Sequence, residues 1–226
     1  MPSICVKPSS LNGVIQAPPS KSHSLRAILF ASLAQGRSRI KNRLSSPDVA
    51  AMIAACRQLG AVITEKNGDV DIVGVAGQLN ASEGATIDAG NSGQVLRYLA
   101  AVVATQEKRV TITGDDSICS NRPIKPYIDS FSQLGVDCVS LAASDFAPIA
   151  VKGPFRGNQI TVDGEDSQVV TGLCIAAVLV PGDTVINVVN AGEKPWIDLT
   201  IDWLRRLGVG VARTDYAQFI VSGHAL

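Results

Sequence analysis

Residues 50–74 read AAMIAACRQLGAVITEKNGDVDIVG, and this stretch returns twice. The other copies are residues 126–153, PYIDSFSQLGVDCVSLAASDFAPIAVKG, and 196–223, WIDLTIDWLRRLGVGVARTDYAQFIVSG. Each is an amphipathic run closing on Leu-Gly, followed by two β-rich runs around a polar turn. The pairs Leu59-Gly60, Leu134-Gly135 and Leu207-Gly208 recur at spacings of 75 and 73 residues, so the chain is a repeat protein. Val49, Met52, Ile53, Cys56 and Leu59 fall at helical spacing, as do Ile197, Ile201 and Leu204. The glycine after each run suits a left-handed helix stop. Pro47, Pro123 and Pro195 stand near the three helix starts, where a missing N–H does no harm.

Upstream of each amphipathic helix lies one of a second kind: SLRAILFASLAQG, GQVLRYLAAVVATQ and QVVTGLCIAAVLVPG. These are apolar on nearly all faces, as helices enclosed by other elements must be. Each runs into a strand, at SRIKN, RVTITG and TVINVVN, and TIDAG and QITVDG suggest a further strand ahead. The expected fold is α/β, three βαβαββ repeats in a pseudo-threefold arrangement with buried helices surrounded by sheets. The repeats are placed at about 18–78, 84–153 and 158–223, in one domain over 18–226. Residues 1–17 belong to no repeat and read as a strand and a turn leading into it.

Composition fits this plan. Apolar residues make up 46% of the 226 and aromatics only 4%, so Ala, Val, Ile and Leu must form the core. Twenty basic residues balance twenty acidic ones, which argues against nucleic acid or a membrane surface as partner. The five cysteines are odd in number and lack C-x-x-C spacing, which suits a reducing compartment and no metal site. With no signal-like start and no apolar run long enough to cross a bilayer, the expected location is the cytoplasm.

The buried helices all begin at polar segments: PPSKSHSLR, DAGNSGQ and DGEDSQ. A pseudo-threefold axis would bring these N-termini together, and their partial positive charges would favour a phosphate or carboxylate. Lys21 and Arg26 stand at the first, Arg97 lies one turn into the second, and Arg122 stands at the start of the second outer helix, next to Pro123. Taken singly, Ser20, Ser22, Asn91, Ser92 and Ser167 are adequate N-caps without any ligand. Lys21 alone is an ordinary loop lysine, and Arg122 alone could pair with an acid. The recurrence at all three equivalent positions is what points to a ligand. His23 and His224 have no partner suggesting a triad or metal site, and Cys119 reads as a loop thiol.

These segments resemble the signatures of EPSP synthases along the whole chain. PPSKSHSLRAILFASLAQG is similar to the family's N-terminal signature, and AGNSGQVLRYLAA to its G-N-[AS]-G-T-x-x-R element. NRPIKP resembles its R-P-I element, DSQVVTGLCIAA its S-S-Q segment and EKPWIDLTIDWLRRLGV its S-K-P-Y-I-D segment. The resemblance implies transfer of an enolpyruvyl group from phosphoenolpyruvate to shikimate 3-phosphate, without a metal or other cofactor. It implies that Lys21 and Arg122 contact phosphoenolpyruvate and act in catalysis. It places Asn91 and Gly93 at the phosphoenolpyruvate turn, which glyphosate also occupies. Ser22, Arg26, Ser167 and Gln168 would hold shikimate 3-phosphate, and Trp196 would pack near it. Family members are roughly twice as long, so the chain is expected to be the first of two similar domains. The second, absent here, would supply the aspartate and glutamate that move protons, and the chain alone is expected to be inactive.

The sequence also departs from the pattern. Gln94 and Tyr98 replace a threonine and a proline behind the glyphosate position. Asp166 and Glu193 replace serines where the substrate phosphate is held. Asp166 is expected to cap its helix and face away from ligand; Glu193 is expected to pair with Lys194 or to point into solvent. Two rival readings stand beside this one. A UDP-N-acetylglucosamine enolpyruvyl transferase would use Cys119, but Cys119 lies three residues before Arg122 rather than five, and Lys21-Ser22 replaces its usual K-N. A non-catalytic anion-binding repeat domain is the other.

Overall fold

The computed structural model describes residues 4–10, 12–155 and 158–224. The first unit comprises α1 (Lys21–Leu33), β1 (Arg37–Ile40), α2 (Pro47–Gln58), β2 (Val62–Lys66) and β3 (Asp69–Val73). The second comprises β4 (Ala85–Asp88), α3 (Gly93–Val103), β5 (Val110–Thr113), α4 (Asp116–Asn121), α5 (Lys125–Ser130), a 3-10 turn at Phe131–Leu134, β6 (Asp137–Ser140) and β7 (Ile149–Lys152). The third comprises β8 (Gln159–Asp163), α6 (Ser167–Ala177), β9 (Thr184–Val189), α7 (Lys194–Arg206), β10 (Val211–Thr214) and β11 (Gln218–Val221). Only this last unit follows the full βαβαββ order.

Each unit folds its strands into its own sheet, ordered β1-β3-β2, β4-β5-β7-β6 and β8-β9-β11-β10. In the second and third sheets the leading strand runs parallel to its neighbour, Ala85 opposite Val110 and Gln159 opposite Val185. The remaining pairs are antiparallel. The strands alternate as half-buried strands should: Val70 and Ile72 of β3 are buried while Asp71 faces out. The three apolar helices α1, α3 and α6 lie inside, and their residues join those of the sheets in one continuous core.

Three small structures repeat with the units. Gly60, Gly135 and Gly208 end the outer helices at φ of 107°, 71° and 86°, the left-handed stop read from the sequence. Gly74, Gly153 and Gly223 follow the last strands. A Cβ there would sit about 2 Å from the carbonyl oxygens of Ala34, Ala104 and Val180. Each glycine thus lets its strand exit press against the end of its unit's buried helix.

The structure corrects the sequence reading in three places. Residues 4–10 and 12–20 carry no strand, and Ile4, Val6, Val14 and Ile15 are exposed. An extended apolar segment becomes a strand only where a sheet edge takes up its N–H and C=O groups. No strand precedes α1 among the described residues, so the first sheet has three strands. The outer helix of the second unit is broken into α5 and the 3-10 turn, and a short helix, α4, precedes it. Arg122 precedes Pro123 and is forced to φ −117°, ψ 86°, so it closes α4 instead of opening α5.

Candidate functional site

The capping reading is divided by the structure. Ser20 and Ser92 do cap α1 and α3, their hydroxyls accepting from the N–H of His23 and Val95. The cap of α6 is Asp166, which accepts from the N–H of Gln168 at 2.9 Å. Ser22, Asn91 and Ser167 therefore cap nothing. The first residues of all three buried helices meet in one cleft of about 300 Å3. Lys21 and Ser22 come from α1, Gly93 from α3, and Ser167 and Gln168 from α6; Asn91, Arg122 and Trp196 join them, so that of the predicted set only Arg26 is missing. Asp48 and Gln94 also line it. Asp48 sits in the first turn of α2 behind Pro47, an acid favoured at a helix start, and its Oδ1 lies 3.4 Å from Lys21 Nζ.

Arg26 is not in the cleft. It lies beneath it, wholly buried, and every guanidinium nitrogen is bonded to protein. Nε and Nη2 donate to Thr200 Oγ1 at 2.9 and 2.8 Å, Nη1 to the Ser22 carbonyl and Nη2 also to that of Trp196, both at 3.1 Å. Its charge lies over the Tyr98 ring at 5.3 Å. The expected direct contact with a substrate gives way to support: Arg26 fixes the backbone at Ser22 and Trp196. Burial pulls its pKa below the ordinary value, with Tyr98 opposing. The cause was legible, because a helix apolar on all sides buries whatever it carries.

Arg97 lies under the opposite side. Nη2 donates to the Pro123 carbonyl at 2.8 Å and stands 3.0 Å from Asp166 Oδ2; Nη1 lies 3.4 Å from Gln168 Oε1. Its pKa is likewise lowered by burial, against the pull of Asp166. Asp166 is thus a cap, as expected, and also the partner of a buried arginine. Gly93 matters here for lack of a side chain: a Cβ would stand 2.7 Å from Arg97 Nη1 and 3.3 Å from Gln168 Oε1.

Asn91 donates to Asp115 Oδ2 at 2.5 Å. That carboxylate also caps α4 through the N–H groups of Ser117 and Ile118, and the Asn91 bond is the main cause of its lowered pKa. The Asn91 turn and the helix ending in Arg122 are so joined, a link with no signal in the sequence. Lys194 does not compensate Glu193; it lies over the Tyr216 ring at 5.1 Å. Glu193 instead accepts a 2.8 Å bond from Ser167 Oγ. Cys119 belongs to α4 rather than a loop, its thiol turned to the Gly114 carbonyl. His23 accepts from Trp203 Nε1 at 3.1 Å, a structural role.

The cleft thus gathers three helix starts, two cations, two acids and a set of hydroxyl and amide groups. Residues 5–226 match the family described as EPSP synthase (3-phosphoshikimate 1-carboxyvinyltransferase). The chain belongs to the EPSP synthase family. It is 37% identical over 221 residues to the 3-phosphoshikimate 1-carboxyvinyltransferase of Chlamydia muridarum, covering 98% of this chain and 50% of that protein. To that of Chlamydia felis it is 41% identical over 204 residues, covering 90% and 45%. An EPSP synthase structure from Acinetobacter baumannii superposes with a TM-score of 0.80 at 28% identity, over 93% of this chain and 47% of that one. The chain thus spans about half the length of the EPSP synthases it matches. Among the described residues no helix is long and apolar enough to cross a membrane.

Proposed function

We propose that this chain forms the first half of a cytoplasmic 3-phosphoshikimate 1-carboxyvinyltransferase, holding shikimate 3-phosphate and phosphoenolpyruvate in the cleft. The observation that carries this is the meeting of Lys21, Arg122 and the three buried-helix starts in one small space. In this reading Lys21 and Arg122 neutralise the carboxylate and phosphate of phosphoenolpyruvate, beside Asn91 and Gly93. Ser22, Ser167 and Gln168 hold the shikimate ligand, Trp196 flanks it, and Arg26 holds Ser22 and Trp196 in place. The half supplies orientation and charge stabilisation. The proton transfers need an acid and a base facing the cleft, and a second domain of the same enzyme is the partner that brings them. Glyphosate is a candidate ligand of the Gly93 turn, where Gln94 Nε2 donates to the Tyr98 hydroxyl at 3.1 Å.

Titration calorimetry and phosphate release test this together. Both substrates are expected to bind the chain alone, with phosphoenolpyruvate lost in Arg122→Ala and no phosphate released. Absence of binding would remove the assignment of the cleft. Release of phosphate by the chain alone would overturn the division of labour between halves.

A further inference from the structure

The cleft presents two cations, Lys21 and Arg122, and one free-standing acid, Glu193. Between them Ser167 is fully buried, and its hydroxyl proton is committed to Glu193 Oε2 at 2.8 Å. Glu193 itself is exposed, at the mouth of α7. It sits at φ 42°, ψ 42°, a left-handed conformation uncommon outside glycine, and its side chain caps nothing. The turn that holds it there is fixed from behind. The Gly192 N–H donates to the Gly164 carbonyl at 2.9 Å, and a Cβ on Gly192 would stand 2.2 Å from the Glu165 carbonyl oxygen. Asp166 is engaged with Arg97 and the Gln168 N–H, and Lys194 with the Tyr216 ring; Arg97 also feels the Glu193 charge but makes no bond to it. The backbone therefore aims one carboxylate at the Ser167 hydroxyl.

We propose that Glu193 is a specificity-determining residue, a built-in competitor for the anionic group of a ligand at Ser167. The inference rests on the reading of the cleft given above. A carboxylate and a phosphate are both acceptors only, and a hydroxyl has one proton to give. A phosphate arriving at Ser167 meets a donor already used and a like charge within a few ångströms. Glu193 must swing toward solvent before the phosphate can bind. A hydroxyl at the same place meets no charge penalty and donates to Glu193 instead. Glu193 thus lowers discrimination in favour of the phosphorylated ligand.

The test is titration calorimetry of the chain and of Glu193→Gln and Glu193→Ser with three ligands: shikimate 3-phosphate, shikimate and phosphoenolpyruvate. Glu193→Gln removes the charge and keeps the size; Glu193→Ser also frees the Ser167 hydroxyl. Shikimate 3-phosphate is expected to bind Glu193→Ser roughly tenfold tighter than the parent, the effect of one charge pair near a protein surface, with Glu193→Gln between. The gain for shikimate 3-phosphate should exceed that for phosphoenolpyruvate, and affinity for shikimate should not rise. Equal shikimate 3-phosphate affinity in all three proteins would overturn the proposal and leave the cleft assignment intact. A uniform change for all three ligands would show a structural role instead of a selective one, and would also overturn it. Failure of every ligand to bind every protein would remove the cleft assignment and this inference with it.

Discussion

Arg26 and Arg97 lie at corresponding depths under the two sides of the cleft, and they are kept there by opposite means. Arg26 has no acid partner: a threonine hydroxyl, two carbonyls and an aromatic face take up its charge. Arg97 is neutralised by Asp166, and even so its Nε is buried without a hydrogen-bond partner. Neutral acceptors satisfy a guanidinium and leave its field in place, whereas an ion pair largely cancels it. The floor is therefore positive beneath Ser22 and Trp196 and close to neutral beneath Gly93 and Gln168. Satisfying a buried charge and using it are separate matters, and this cleft solves them differently on its two sides.

The largest effect expected is on stability at Arg26. Arg26→Ala removes a wholly buried side chain and orphans several acceptors, at a cost of about 3 kcal/mol. Arg97→Ala leaves Asp166, which is 32% exposed, able to turn to water, and should cost about 2 kcal/mol. Chemical denaturation of both variants settles the order; a greater loss at Arg97 would break the contrast. Next comes Asp166. Asp166→Asn keeps a capping side chain but removes the charge beside Arg97, and should lower stability by about 1 kcal/mol, with Asp166→Ala losing about 1 kcal/mol more as the cap goes too. Identical melting of these two variants would show that the cap contributes nothing. The smallest effect belongs to Gly93→Ala, whose methyl meets the flexible ends of Arg97 and Gln168. Stability should change by less than about 1 kcal/mol while phosphoenolpyruvate binding weakens. Unchanged binding would place the ligand away from the Gly93 side.

Much of this was written in local pattern. The Leu-Gly closures, the helices apolar on every face and the polar segments before them could be read directly, and the repeat pointed to a meeting of Lys21, Ser22, Asn91 and Ser167; Gly93, Gln168 and Trp196 came from the family resemblance, and Arg26 and Arg97 lie beneath the cleft instead. What stayed hidden depended on contacts distant in sequence. The pairing of Arg97 with Asp166 joins two repeats, and the bond from Ser167 to Glu193 spans 26 residues within the third. Proline spacing held a different lesson: α5 does start two residues after Pro123, yet the same proline restrains Arg122, so that α4 ends there and Arg122 opens no helix. That no strand precedes α1 among the described residues had no sequence sign, because a strand exists only where a neighbour receives it.

That three-stranded first sheet bears on how the protein behaves at high concentration. The outer side of β1 offers peptide groups with no strand beside them among the described residues, a template on which a second molecule can build. The strand is short, and Arg37 and Lys41 bracket it while Arg39 is taken up by Asp69 and Asp71. Two copies docking edge to edge would bring these cations face to face, so electrostatic repulsion guards the edge. Salt weakens that guard, since screening shortens its reach to about 3 Å at 1 M ionic strength. Concentrated stocks should therefore stay clear in dilute buffer and grow turbid as salt is raised, the reverse of a protein held apart by hydration alone.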